Sequence, residues 1–92
     1  MIRSFRHKGL KHLFEDEDSS KLRQDLVAKI RIVLTAIDRA RIVTDLNQPA
    51  FRLHMLRGDL EGFWAITVRA NWRIIFRFSG SDAFDVDLVD YH

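Results

Sequence analysis

With 92 residues and 47% hydrophobic content, the chain has room for a single domain, residues 1–92, with one modest core; it does not read as a disordered tail. Cysteine is absent, which excludes disulfides and thiolate chemistry, and no apolar run approaches the ~20 residues needed to span a membrane. Net charge is only +2, yet the stretch from Lys21 to Arg77 carries eleven basic residues against five acidic ones, and nine of the eleven are arginine.

An arginine-rich middle suits a polyanion, because guanidinium presents a planar fork of donors to phosphate. The same charges also suit a well-solvated surface, and charge alone leaves both readings open. The opening Met1-Ile2-Arg3-Ser4-Phe5-Arg6 shows no apolar segment of a secretory leader, so a cytoplasmic protein is expected.

Ile2 to Phe5 can start a short strand. Lys8 to Phe14 can form a short helix with Leu10, Leu13 and Phe14 on one side. The acidic run Glu15 to Asp18 and Ser19-Ser20 then break the pattern, and the run reads as a solvated helix end. Lys21 to Arg39 is the clearest helix: Leu22, Leu26, Ile30, Val33 and Ile37 make a stripe that Val27 and Leu34 widen. Ser19 or Ser20 is expected to cap it. Asp45 to Pro49 reads as a loop.

From Phe51 the period becomes two. The expected strands are Phe51 to Met55, Trp64 to Arg69, Trp72 to Phe78 and Phe84 to Leu88. Gly58, Gly62, Ala70-Asn71 and Gly80 mark the breaks. Such short connections imply an antiparallel meander, and the helices should cover its apolar face. The fold class is therefore α+β: two layers, with a short N-terminal strand, two helices and a four-stranded sheet.

Strict alternation puts Arg52, His54, Thr67, Arg69, Arg73, Arg77, Asp85 and Asp87 on the other face of the sheet. A bulge would flip the residues beyond it. One reading of this face is a wet surface with cross-strand ion pairs, such as Arg77 with Asp85 or Asp87. The other is a phosphate cradle built on His54 and Arg73. The sequence closes with Asp90-Tyr91-His92, which is either a frayed tail or an acid–base cluster. Metal chemistry finds no support: His7 and His12 lack the spacing of a helical ligand pair, and no cofactor motif is present.

Three segments carry a family resemblance: Ile2-Arg3-Ser4-Phe5-Arg6-His7-Lys8-Gly9-Leu10, Arg52-Leu53-His54-Met55-Leu56-Arg57-Gly58-Asp59, and Trp64-Ala65-Ile66-Thr67-Val68-Arg69-Ala70-Asn71-Trp72-Arg73-Ile74. Val89-Asp90-Tyr91-His92 completes them. Together they resemble HigB-type toxins of the RelE/ParE superfamily, along the whole chain. The resemblance implies a RelE-like fold and a metal-independent endoribonuclease that cuts messenger RNA on the ribosome. It also implies a helix-turn-helix antitoxin of HigA type, with operator DNA reached only through the complex. The implied site residues are His54, Arg57, Asn71, Arg73, Asp90, Tyr91 and His92. Met55 and Arg57 depart from the proline and lysine of many relatives. Arginine does not readily give up a proton, so Arg57 is expected to bind phosphate. Two other readings stay open: a ParE-like inhibitor of DNA gyrase, and a non-catalytic RNA- or ribosome-binding module.

Overall fold

The computed structural model describes residues 1–91. Helix α1 spans Lys8–Asp16, and α2 spans Val27–Arg39 after a single 3₁₀ turn at Gln24–Leu26. The sheet has strands β1 (His54–Met55), β2 (Trp64–Arg69), β3 (Trp72–Ser79) and β4 (Asp82–Asp90). All neighbours are antiparallel and follow chain order, as short turns require.

The α2 stripe does what its spacing demands: Leu26, Ile30, Val33, Leu34 and Ile37 are buried, against Ile66, Val68, Ile74, Phe76, Ala83 and Val86 of the sheet. Leu10 and Leu13 of α1 close the same core. The start of α2 differs from expectation. No side chain caps it, and the preceding turn occupies the residues expected to begin the helix. Ser20 serves Asp18 instead: its hydroxyl and its backbone N–H hydrogen-bond the carboxylate and hold that carboxyl below the usual aspartate range.

The N-terminal segment makes two isolated parallel bridges to β4, Ile2 with Ala83 and Phe5 with Val86, rather than a full strand. Backbone N–H groups of Arg3 and Arg6 donate to Ala83 and Val86, while those of Ala83 and Val86 donate to Met1 and Ser4. The Asp85 N–H finds the Ser4 hydroxyl at 2.8 Å. Asp38, near the end of α2, accepts from the Ile2 N–H at 2.9 Å, so the segment is tied to both layers.

Two bulges correct the simple alternation. In β2, Thr67 pairs with Arg73 but Arg69 pairs with Trp72. In β4, Asp87 pairs with Ile75 but Phe84 pairs with Arg77, so β4 carries one extra residue. Asp85 absorbs it in the left-handed region, at φ 55°. Phe84 therefore leaves the helix-facing side and joins Arg77 on the other face. The first strand is also shorter than expected. Phe51 is buried ahead of it, and Arg52, at φ 50°, turns the chain before His54. Met55 is 55% exposed, at the sheet edge rather than in the core.

The second face is not simply wet. Leu56, Phe63, Ala65 and Ile75 form a small buried cluster there, with Leu60 and Val89 packed against it. The loop between β1 and β2, with its 3₁₀ turn at Gly58–Leu60, thus folds over the middle of this outer face. Among the described residues, no helix is long and apolar enough to cross a membrane.

Candidate functional site

Register alone sets out the outer face. His54 pairs with Ala65, Ala65 with Ile75, and Ile75 with Asp87, so these four form one row across the sheet. The row of Thr67, Arg73 and Val89 lies two residues further along on the same face. Sheet spacing puts the Cα atoms of His54 and Arg73 on the order of 12 Å apart, a distance that an imidazole and an arginine side chain can bridge around one phosphodiester.

His54 is exposed, and its Nδ1 lies 2.8 Å from the Arg52 carbonyl oxygen. A carbonyl can only accept, so Nδ1 carries the proton. In the neutral ring Nε2 then holds the lone pair and faces away from the turn. The unusual backbone of Arg52 thereby fixes the tautomer of a histidine two residues on.

Arg73 is half-buried. Its Nη1 donates to the Ala70 carbonyl, and to that of Trp72 at 3.3 Å. Ala70 lies in the β2–β3 turn, at φ 50°, and Trp72 is the first residue of β3. The Nε of Arg73 is buried without a hydrogen-bond partner among the described residues. Asn71 occupies the turn itself, and its carbonyl accepts from the Tyr91 N–H at 2.8 Å. Tyr91 follows Val89 by two residues and is 43% exposed, beside the Asn71–Arg73 end of the face.

The other expected site residues are less tightly grouped. Asp90 is exposed and pairs with Trp72, whose side chain packs toward the helices, so register puts it on the opposite side from Arg73. Arg57 is exposed and immediately precedes the 3₁₀ turn that folds over the outer face. His92 lies outside the described residues. Arg69, expected beside Arg73, is turned by the β2 bulge to the helix side, where it meets Asp25 at 3.2 Å. Asp25 also pairs with Arg23, whose guanidinium carbon lies 5.8 Å from the Trp72 ring centroid. The anticipated ion pair of Arg77 with Asp85 or Asp87 does not form; Arg77 lies over the Phe63 ring, at 5.3 Å. Arg6 approaches the same ring at 5.0 Å, a contact that alternation could not reveal because Arg6 comes from outside the sheet.

Residues 3–92 match the model of a family described as the RelE-like toxin of the type II toxin–antitoxin system HigB. The chain belongs to the HigB-like toxins. It is 50% identical over 92 residues to Endoribonuclease HigB of Proteus vulgaris, covering all of both chains. Solved structures agree on the RelE-like fold at much lower identity. The YoeB–YefM toxin–antitoxin complex of Staphylococcus aureus aligns at TM-score 0.62 and 17% identity, covering 100% of this chain and 95% of that one. YafQ of E. coli aligns at TM-score 0.63 and 13% identity, covering 98% and 91%. The α+β architecture expected of a HigB-like chain is the one observed, with two helices on one face of a four-stranded antiparallel sheet.

Proposed function

We propose that this HigB-like chain is an endoribonuclease that cuts messenger RNA on the ribosome and is held in check by a helix-turn-helix antitoxin of HigA type. Operator DNA would be reached only through that complex. The observation that carries the reading is the shared face of His54 and Arg73: a histidine of defined tautomer on the same side of the sheet as a guanidinium anchored at a turn. Full-length similarity to an endoribonuclease supports it.

RNA brings its own nucleophile, the 2′-hydroxyl. In this mechanism His54 Nε2 takes the hydroxyl proton, and the 2′-oxygen attacks the adjacent phosphorus in line. The bond from phosphorus to the 5′-oxygen breaks, and that oxygen takes a proton from His92. The products are a 2′,3′-cyclic phosphate and a 5′-hydroxyl. Arg73 and Arg57 neutralise the extra negative charge on phosphorus, where fixed donors contribute most. Asn71 positions the strand, and Asp90 or Tyr91 orients His92. Every proton and electron pair comes from the RNA or from a side chain.

The test is His92→Ala. It should abolish growth arrest and transcript cleavage, read by primer extension, while antitoxin binding and melting temperature stay unchanged. A folded variant that arrests growth at full strength sinks the mechanism. Loss of DNA supercoiling without transcript cuts in the parent protein would point to gyrase instead.

A further inference from the structure

The proposed chemistry uses one end of the outer face. The other end carries a second concentration of nucleic-acid-binding groups. Arg77 stands four residues from Arg73 on the same side of β3, roughly 13 Å along the strand. Its cross-strand partner is Phe84, the residue that the β4 bulge moved out of the core. Arg77 and Phe84 line an open groove of about 440 Å³, with Ser4, Gly62 and Asp85 at its walls. From the N-terminal segment, Arg6 reaches the same neighbourhood, since both guanidinium groups sit over Phe63.

Neither Arg6 nor Arg77 forms an ion pair among the described residues. Two like charges thus converge on one ring, and Asp85 at the groove wall pairs with neither of them, so the site still has room for an anion. Phe84 is half-buried, with ring surface left in the groove. A cation pair beside an accessible aromatic face is the combination that holds single-stranded nucleic acid: the ring stacks a base and the cations take the backbone. Double-stranded RNA would leave no unstacked base for the ring. Asp85 adds an acceptor at the wall, suited to a base amino group rather than to phosphate.

We propose that Arg6, Arg77 and Phe84 form a second RNA subsite, which stacks one base and binds one phosphate of the same strand whose scissile linkage lies at Arg73. This rests on the ribonuclease reading above and extends it: the outer face becomes a track for a single strand, anchored at both ends with the small apolar cluster between them.

The experiment is fluorescence anisotropy with fully 2′-O-methylated oligoribonucleotides, which bind but cannot supply the nucleophile. A dinucleotide and an octanucleotide are titrated against the parent protein and against Arg77→Ala, Phe84→Ala and Arg73→Ala, each shown to be folded by its melting curve. The parent should bind the longer strand more tightly. Arg77→Ala and Phe84→Ala should each weaken the octanucleotide by about tenfold and leave the dinucleotide unchanged. Arg77→Ala should also reduce the salt slope by about one. Arg73→Ala should weaken both lengths. Equal binding of both lengths by the parent, or an octanucleotide affinity untouched by Arg77→Ala and Phe84→Ala, overturns the second subsite. If Arg73→Ala alone has no effect, the site reading fails and the second subsite stands. A misfolded Arg77→Ala is replaced by Arg77→Gln, read in the same way.

Discussion

His54 shows how much one backbone angle decides. Arg52 takes a left-handed turn, its carbonyl meets Nδ1, and the basic nitrogen is left on Nε2. His54→Asn separates the two nitrogens. The amide can keep the contact with the Arg52 carbonyl, but it has nothing that can take a proton. Cleavage of a reporter transcript should fall by roughly 10²–10⁴-fold, with the melting temperature within error of the parent; retention of most activity would remove His54 from proton transfer. Alternation was enough to put His54 and Arg73 on one face. It failed for Arg69, because the β2 bulge reverses parity just before that residue. It had nothing to say about Arg57 and Asn71, which sit in turns. Those two came from family likeness, which no spacing rule could replace.

At the level of elements, the best-read segments were those whose periodic apolar residues meet the core: the α2 stripe and the centres of β2 and β3. Ends and irregularities were harder to read. Ser19 and Ser20 have the chemistry of a cap, yet the 3₁₀ turn puts the start of α2 at Val27. Alanine rarely adopts the left-handed region, so nothing in Ala70 announced that it would. Ala70→Gly should therefore raise stability by about 0.5–1 kcal/mol in urea unfolding; a decrease would mean that Ala70 is not strained. Gly9→Ala should do the reverse. Alanine ordinarily stabilises a helix by nearly 1 kcal/mol relative to glycine. Here its methyl would meet His7 Cε1 at 2.8 Å and Leu22 Cδ2 at 3.1 Å. His7 is the α1 cap, its Nδ1 accepting from the Leu10 N–H, so the clash displaces it and forfeits about 1 kcal/mol. These two effects nearly cancel, and crowding of Leu22 tips the balance to a small net loss in the same unfolding measurement; a gain would show that His7 yields freely.

At the scale of the molecule, the described residues form two apolar clusters of unequal size, and the sheet divides them. Ile74 and Ile75 are neighbours in sequence and both buried, but they belong to different clusters. Ile74→Ala should cost about 2–5 kcal/mol, as a deletion in the main core. Ile75→Ala should cost less, because its cluster is small and its covering loop can settle into the space, yet reduce RNA cleavage more, because that cluster holds down the loop around Arg57. Calorimetry alongside cleavage rates checks the crossing; parallel losses would mean the clusters act as one. The layered fold was legible because both helices and strands β2, β3 and β4 share the larger core. The smaller cluster was not, since Leu56, Leu60 and Phe63 lie in a stretch that reads as turns. The first six residues have a different consequence. Lying along β4 from Ala83 to Val86 and satisfying the N–H groups of Ala83, Asp85 and Val86, they close the first half of that edge, while the opposite edge is just two residues of β1. Crowded copies of this molecule therefore have little template on which to polymerise, and trimming Met1 to Phe5 would lengthen it.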